Sequence, residues 1–282
     1  MKIIECPRDA MQGIVEYIPV ETKVAYINQL LKIGFDTIDF GSFVSAKAIP
    51  QMRDTTKVLD GLNKSSTVSR LLAIVANKRG AQEAATIGGI DYLGFPLSIS
   101  ETFQIRNTNQ TIEQAFATLE DIHTICINNN MSLVTYLSMG FGNPYGDPYS
   151  TEFINSFVDR LAAQGLTIIS IADTIGVSNP ANIQQLFESL IQSFPEIEFG
   201  AHFHSHPNRV EEKIEAAYRS GCQRFDGALK GYGGCPMAKD KLVGNLPTEA
   251  IIQCLHDLGI AFEFDSDAFQ IALEMVPTIF NR

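Results

Sequence analysis

The order of apolar and amphipathic segments predicts an α/β fold, a (β/α)8 or TIM barrel with an extra C-terminal helix. Eight short β-branched segments alternate with about eight segments of helical periodicity, and the pattern recurs roughly every 30 residues. Alternating units of this kind form a parallel sheet, and eight units in about 250 residues have the size of a closed barrel. A doubly wound open sheet is the alternative, but no GxGxxG opens a helix after any predicted strand.

The predicted strands are short and rich in β-branched and aromatic residues: Ile3–Cys6, Thr37–Phe40, Leu71–Ala76, Tyr92–Phe95, Leu133–Leu137, Thr167–Ile171, Ile197–Ala201 and Arg224–Gly227. Helical periodicity is clearest in ETKVAYINQLLKIG, where Val24, Ile27 and Leu30 share one face and Gly34 stands at the C-cap. Further helical segments are GAQEAATIGG, TIEQAFATLEDIHTICINN, EFINSFVDRLAAQG, NIQQLFESLIQSF and RVEEKIEAAYRSG. The tail, DSDAFQIALEMVPTIF, adds a helix outside the repeat. No linker interrupts the chain, so residues 1–282 are predicted to form a single catalytic domain.

Composition limits the classes of partner. The net charge of −11 argues against a nucleic-acid or anionic-membrane partner, and a polyanionic ligand would need local positive charge. The N-terminus lacks the pattern of a signal peptide, and no segment is apolar enough to span a bilayer, so a cytoplasmic protein is expected. Five cysteines without CxxC spacing predict reduced thiols rather than disulfides or a thiolate zinc site.

The polar segments of the chain follow the predicted strand ends, where a barrel carries its active site. They read CPRDAMQG, DFGSFVSAK, PLSISETFQIRN, SMGFGNPYGDPY, ADTIG, HFHSH and KGYGGCPMAKDKLVGN. Because all of these loops would lie on one rim, they predict a functional site there.

The HFHSH segment places histidines at alternate positions of a strand end, where they share one face. His202 and His204 are candidate ligands of a divalent metal, which Asp9 after strand 1 and Asn245 after strand 8 could complete. Two nitrogen and two oxygen donors suit Mg²⁺ or Mn²⁺ better than structural zinc. A hydrogen-bonded pair of rim histidines remains the alternative. His206, which precedes a proline, is interpreted as a bystander.

Two further residues stand out on the predicted rim. Arg8 could stabilise a developing oxyanion or enolate, or form a structural salt bridge to Asp39 or Asp173, and the two roles are compatible. Cys235 lies in the glycine-rich GGCPMA loop, which could cover the site as a lid. Because the sequence places no histidine of fixed geometry beside Cys235, a role as a nucleophile is not indicated.

In this order and at these separations, the segments CPRDAMQG, GSFVSAKAIPQM, ADTIGVSNP, HFH and GGCPMA followed by GNLPTE resemble the 3-hydroxy-3-methylglutaryl-CoA lyase family. That family belongs to a superfamily of metal-dependent (β/α)8 lyases and Claisen-type synthases. The resemblance covers essentially the whole chain. The RDxxQ and HxH elements are shared across the superfamily, whereas SFVSxKxxPQM and GGCP followed by GN are more specific to the lyase.

The resemblance implies roles for individual residues. Positions that match the metal ligands are Asp9, His202, His204 and Asn245. Positions that match catalytic residues are Arg8, for enolate stabilisation, His202, for proton transfer, Cys235, on the lid, and Asp39 and Asp173. Further pocket positions are Gln12, Ser42, Ser170 and Glu249.

Some positions depart from the family pattern. Asp39 stands where glutamate is common, and Ser205 stands where aspartate usually follows the second metal histidine. Tyr232 and Met237 replace a leucine and an aromatic residue, and residues 239–241 replace a small, uncharged stretch. Most of these changes surround the lid, so the resemblance predicts the type of reaction more specifically than it predicts the acyl group of the substrate.

The implied reaction is metal-assisted retro-Claisen cleavage of 3-hydroxy-3-methylglutaryl-CoA to acetyl-CoA and acetoacetate, with Mg²⁺ or Mn²⁺ as cofactor. Family membership would link it to leucine degradation and ketone-body formation, although the sequence does not identify the pathway, and family habit implies a homodimer. Candidate contacts of the coenzyme A phosphates are Lys47, Asn77, Lys78, Arg79 and Arg106. The alternatives are a 2-keto-acid aldolase or condensing synthase of the same superfamily, or a barrel that only binds or regulates.

Overall fold

The computed structural model describes residues 1–65, 67–234 and 243–280. Eight parallel strands, β1 to β8, form its centre: Lys2–Glu5, Thr37–Ser42, Arg70–Ile74, Tyr92–Ser98, Ser132–Ser138, Ile168–Asp173, Glu198–Ser205 and Arg224–Gly227. Each strand pairs with the next along the chain, and β8 pairs with β1, so the sheet closes on itself. This closure confirms the predicted (β/α)8 barrel, and every predicted strand segment overlaps an observed strand.

Helices surround the barrel. In the described residues they are α1 to α11: Pro7–Gln12, Val20–Leu30, Thr55–Asp60, Lys78–Ile87, Glu101–Thr108, Ile112–Asn128, Thr151–Ala163, Pro180–Ser193, Val210–Arg219, Thr248–Asp257 and Ser266–Phe280. Several begin at a polar side chain that accepts a backbone N–H, such as Asn77 before α4 and Asn179 before α8. Their buried apolar faces pack against the outer side of the strands and form the main core.

A smaller apolar cluster lies inside the barrel and consists of Leu72, Ile74, Tyr92, Val134 and Tyr136. The remaining inward-facing positions of β7 and β8 are polar or glycine, including Gly200, Arg224 and Asp226. The interior is therefore apolar on one side and polar on the side where the histidines lie.

The predicted tail helix is confirmed as α11, which packs on α2. The rings of Tyr26 and Phe280 meet edge to face with centroids 5.9 Å apart, and Gln29 donates a hydrogen bond to the Ala268 carbonyl at 2.9 Å. No helix in the described part of the chain combines the length and the apolarity needed to cross a bilayer.

Two segments predicted as loops contain helices. The segment after β1 forms α1, which begins with Pro7 in its first turn, and the segment after β4 forms α5, where the Ser100 hydroxyl accepts the N–H of Phe103 at 3.2 Å. The prediction of irregular structure there was wrong because both helices are short, at six and eight residues, and show no long apolar period.

Strand β7 is longer than predicted. It continues to Ser205, so His202 and His204 lie within the strand rather than beyond its end. The extension is held by a short antiparallel strand, β9 (Gly244–Asn245), which pairs with its last residues. Because β9 comes from a segment distant in sequence, the local pattern of β7 alone does not reveal it.

Candidate active site

A cavity of about 360 Å³ opens where the carboxyl ends of the strands meet. Its polar side includes Arg8, Asp9, Gln12, His202 and His204. Its other side is apolar and includes Val44, Ile49, Ile74, Pro96 and Phe103. The position agrees with the rim that the sequence predicted, and the apolar wall together with a few polar groups is typical of small-molecule sites.

Asp9, His202 and His204 form a compact group of potential metal ligands. One ligand atom from each lies within 4.8 Å of the others, and Asp9 and His204 are buried while His202 is partly buried. The alternation of β7 points both imidazoles to the same side, and α1 carries Asp9 to them from the neighbouring end of β1. The structure therefore brings together three of the four predicted ligands.

The ring of His204 is oriented for metal binding. Its Nδ1 lies 3.0 Å from the Thr174 carbonyl oxygen, an acceptor that requires the proton on Nδ1. Its Nε2 is buried and has no hydrogen-bond partner among the described residues. A buried nitrogen with a free lone pair is expensive unless it is bound, so this atom fits a metal ligand.

His202 is held by a different acceptor. Its Nδ1 lies 3.1 Å from an Asp226 carboxylate oxygen. Burial opposes charge on His202, but the hydrogen bond and the negative charge of Asp226 raise its pKa. Burial and the neighbouring His202 lower the pKa of His204. The two imidazoles thus differ in basicity although they lie side by side, with ring centroids 5.4 Å apart.

Asn245 completes the predicted ligand set from β9. The register of β9 on β7 places it opposite His204, and its side-chain amide donates to Asp9 Oδ2 at 2.7 Å and to the Tyr232 carbonyl at 2.9 Å. These bonds use the nitrogen, and its amide oxygen is the atom that could bind a metal. Burial disfavours ionised Asp9, yet Arg8, the histidines and Asn245 lower its pKa to about 2. Asp9 is therefore a carboxylate throughout the physiological range.

Arg8 forms the salt bridge that the sequence allowed. Its Nε and Nη2 bond to Asp39 Oδ2 at 3.0 and 2.5 Å, and its Nη1 bonds to Asp9 at 3.0 Å and Gln12 at 2.9 Å. Four of the five guanidinium protons are used by these bonds, which leaves one Nη2 proton without a partner among the described residues. Arg8 is thus fixed by carboxylates and lines the cavity.

Asp39 is completely buried beside this guanidinium. Burial raises the pKa of its carboxyl group to about 6, while the charge and the hydrogen bonds of Arg8 act in the opposite direction. Asp39 does not line the cavity, so its part in the site is to hold Arg8.

Asp173 does not reach the cavity. Its oxygens accept hydrogen bonds from Val177 N–H, from the N–H and hydroxyl of Ser178 and from Lys213 Nζ. These contacts anchor the loop after β6, and Lys213 also donates to the His204 carbonyl at 3.1 Å. This placement does not support the predicted catalytic role, because Asp173, unlike Asp9, does not line the cavity.

The predicted pocket residues divide between the site and its surroundings. Gln12 lies in the cavity and donates to Asp9 Oδ1 at 2.7 Å. Ser170 lies in the barrel interior, 3.5 Å from Asp226, and the Ser42 hydroxyl donates to the Ile74 carbonyl at 3.2 Å. Glu249 lies outside the cavity, where it accepts the N–H of Lys230 at 3.0 Å. A pocket role for Glu249 is not supported by this placement.

The candidate phosphate contacts also separate. Asn77 and Arg79 line a second cavity of about 360 Å³, which shares Val44 with the first. Lys78, in contrast, forms an exposed ion pair with Asp121 at 2.9 Å, and Arg106 lies over the Tyr145 ring at 4.8 Å. Neither lines either of these two cavities, and the exposed Lys47 does not line them.

The predicted lid residue Cys235 lies outside the described residues, as do Met237 and residues 239–241. Sequence reasoning missed Asp226, Thr174 and Tyr136, which contact the histidines. A signal for Asp226 was present, because an acidic residue inside a buried strand needs a partner. Nothing in the sequence marks the Thr174 carbonyl, since every residue has one.

The amino-acid sequence is similar to proteins of known family. The HMGL-like family model matches residues 2–276. The hydroxymethylglutaryl-CoA lyase YngG of Bacillus subtilis is 33% identical over 254 residues, covering 90% of this chain and 84% of the relative. The cytoplasmic 3-hydroxy-3-methylglutaryl-CoA lyase of Rattus norvegicus is 31% identical over 261 residues, covering 92% of this chain and 75% of the relative.

Solved structures of HMG-CoA lyases have the same fold as this chain. The HMG-CoA lyase of Bacillus subtilis superposes with a TM-score of 0.93 at 30% identity, covering 100% of this chain and 94% of that one. An HMG-CoA lyase of Acinetobacter baumannii in complex with coenzyme A and 3-methylmalate superposes with a TM-score of 0.91 at 30% identity, covering 100% and 91% of the two chains.

Proposed function

Because the chain belongs to the HMGL-like family, we propose that it is a carbon–carbon lyase that cleaves 3-hydroxy-3-methylglutaryl-CoA to acetyl-CoA and acetoacetate. The observation that carries the proposal is the compact group of Asp9, His202 and His204, with Asn245 and Arg8 hydrogen-bonded to its carboxylate, in a cavity at the barrel mouth. The names of the relatives supply the substrate.

The donor set fits a divalent cation. Asp9 supplies carboxylate oxygen, the histidines supply imidazole nitrogen, and the orphaned Nε2 of His204 has no other partner among the described residues. The oxygen donors suit Mg²⁺ or Mn²⁺, and none of these donors is a thiolate of the kind typical of structural zinc. When bound, such a cation would lower the pKa of a coordinated hydroxyl and neutralise developing negative charge.

Arg8 would stabilise the enolate of the departing acetyl-CoA. Its guanidinium cannot rotate freely, because Asp39 holds one edge and Asp9 and Gln12 hold the other. Fixed donors of this kind lower the barrier since no reorganisation is needed as charge develops. The remaining Nη2 proton is the one available to the enolate oxygen.

A proton-transfer role for His202 is constrained by its contacts. Its Nδ1 is committed to Asp226, so its other nitrogen would have to serve both the cation and a proton. We therefore place His202 chiefly among the metal ligands, and Cys235 remains the other sequence-predicted candidate for the final protonation.

The two cavities accommodate the two parts of an acyl-CoA. The first combines the metal ligands with an apolar wall and would take the acyl group, whereas the second carries Asn77 and Arg79 beside the N-terminus of α4 and would take phosphate. A local cation is needed there, because the chain as a whole carries a net charge of −11.

The test is to incubate metal-stripped protein with 3-hydroxy-3-methylglutaryl-CoA, with and without Mg²⁺ or Mn²⁺, and to assay acetoacetate. We expect product only with metal, and none from Asp9→Ala or His202→Ala. Bound metal without acetoacetate would contradict the proposed substrate, and 2-keto acids and other hydroxyacyl-CoAs would then be screened.

A further inference from the structure

His202 is fixed on two sides by residues of the barrel interior. Its Nδ1 lies 3.1 Å from an Asp226 carboxylate oxygen, and the Tyr136 ring meets the imidazole edge to face with centroids 5.3 Å apart. The hydrogen bond sets the rotation of the imidazole about its own axis, and the aromatic contact sets its tilt. Together they determine where the second ring nitrogen points.

The register of the barrel produces this pairing. Strands β7 and β8 place His202 directly beside Asp226, and both side chains face the interior. Asp226 is 2% exposed and accepts no backbone hydrogen bond from the described residues. Asp173, in contrast, accepts the backbone N–H of Val177 in the loop after β6. The side-chain hydrogen-bond partners of Asp226 among the described residues are His202 and, at 3.5 Å, the Ser170 hydroxyl, and the Cys6 thiol lies within 4.8 Å.

The negative charge of Asp226 is balanced from the same strand. Arg224 lies two residues earlier on β8 and is fully buried, and its Nη1 donates one hydrogen bond to Glu198 at 3.2 Å. Its Nε and Nη2 have no partner among the described residues, and neither does Asp226 Oδ1. A buried carboxylate without nearby positive charge would be costly, and Arg224 supplies such a charge close to Asp226.

We propose that Asp226 is a positioning residue of the candidate metal site, which holds the proton of His202 on Nδ1 and so directs the lone pair of Nε2 towards Asp9 and His204. This inference rests on the proposed metal-dependent function. The neighbouring His204 obtains the same orientation from a neutral carbonyl, that of Thr174. A ligating histidine whose other nitrogen binds a carboxylate is also the more basic ligand, so loss of Asp226 weakens the site through one imidazole only.

The first measurement is metal affinity, taken as the fall of the free Mn²⁺ electron paramagnetic resonance signal on titration with protein. We expect Asp226→Ala to weaken Mn²⁺ binding by about 10- to 100-fold. In the His202→Ala background the same substitution should change the affinity by less than about twofold, because the residue through which it acts is gone. Equal weakening in both backgrounds, or wild-type affinity in Asp226→Ala, would overturn the proposal.

The second measurement needs no metal and keeps the inference separate from the proposed function. In metal-free protein at alkaline pH, long-range ¹⁵N–¹H correlation spectra report which ring nitrogen of each of the five histidines carries the proton. We expect His202, assigned by comparison with His202→Ala, to be protonated on Nδ1. A proton on Nε2 in the wild type would overturn the inference even if the protein binds metal.

Asp121→Ala is the control, since it removes an exposed carboxylate that pairs with Lys78 and lines neither cavity. It should leave both the tautomer and the Mn²⁺ affinity unchanged. If Asp226→Ala fails to fold, Asp226→Asn keeps the shape but loses the charge, and it should still weaken Mn²⁺ binding by several-fold, as the less basic ligand predicts. Wild-type affinity in folded Asp226→Asn would contradict the proposal.

Discussion

Asn245 and His204 are paired residues of the antiparallel bridge between β9 and β7. The pairing carries the amide of Asn245 from the segment after β8 to within 2.7 Å of Asp9. Residues from the first, seventh and last strand regions therefore meet at one point, although no local sequence pattern connects them. Four predictions test this site and its supports.

Gly233→Ala should weaken metal binding through Asn245. Gly233 has a φ of +94°, and a Cβ there would lie 2.7 Å from Asn245 Nδ2 and 2.8 Å from Asp9 O. Such contacts force both residues to move, so we expect Mn²⁺ affinity to fall by about 10-fold or more. Gly146→Ala is the control, because its φ of +78° imposes similar backbone strain with no atom within 4 Å. Equal affinities in the two variants would show that the close packing at Gly233 does not govern the site.

Arg8→Lys should lower kcat by about 100- to 1,000-fold, because an ammonium group cannot reproduce the fixed fork of donors. Lysine is preferred to alanine here, since truncation would leave the buried Asp39 and Asp9 without a counter-charge, at a cost of about 3–5 kcal/mol. The measurement is acetoacetate formation at saturating metal, with Mn²⁺ affinity followed in parallel. Wild-type turnover would remove Arg8 from the chemistry and leave it a structural role.

Arg79→Ala should raise the KM for the acyl-CoA by about 10-fold with little change in kcat, because Arg79 lines the second cavity and would contact phosphate. Lys78→Ala is the matched control and should change KM by less than about twofold, since Lys78 is an exposed partner of Asp121. A pantetheine thioester that lacks the nucleotide should not distinguish the variants. An equal rise in KM for both substrates would argue against a phosphate contact.

Glu5→Gln should reduce the pH dependence of folding stability. Glu5 is fully buried, accepts from Leu229 N–H at 2.9 Å and from the Thr248 hydroxyl at 2.5 Å, and thereby ties the two ends of the segment that carries Asn245. Burial raises its pKa from 4.5 to about 8, against the effect of these hydrogen bonds. Between these two pKa values the native state therefore binds more protons than the unfolded state, so stability falls as pH rises. The contribution of Glu5 to the free energy of unfolding is present in full at low pH and is lost as pH rises through about 8.

Glutamine keeps an acceptor for Leu229 and a donor for Thr248 but cannot ionise. The measurement is urea unfolding between about pH 5 and about pH 8. Over this range we expect the free energy of unfolding of the wild type to decline as pH rises. The decline should be smaller by a few kcal/mol in Glu5→Gln. Asp39 contributes in the same direction in both proteins, so the difference between them isolates Glu5. Parallel curves would show that Glu5 is ionised in the native state over the whole range.

Much of the fold followed from periodicity, because a strand buried on both faces and an amphipathic helix each leave a local signature. The eight strands and the tail helix α11 were predicted for this reason. Strand β9 was missed, since its two residues form a strand only through their pairing with β7. Helix α5 was missed as well, because eight residues give too short a period to recognise.

The sequence by itself determined the barrel, the rim on which the site lies and the kinds of side chain that converge there. Asp9, His202, His204 and Asn245 could be selected because they lie at or after the carboxyl ends of predicted strands, and these ends share one edge of a closed barrel. Only the tertiary structure decided which of the polar residues serve the site and which serve the fold. Asp173 accepts hydrogen bonds from its own loop and from Lys213, whereas Asp226, which was not selected from the sequence, contacts His202.

The physical reason is that hydrogen-bond partners depend on strand register and barrel closure. A carboxylate is committed or available according to which donors lie within about 3 Å of it, and those donors come from other strands. Residue type and position along one strand do not contain that information. The closed barrel supplies it by placing β7 between β6 and β8 in a single register.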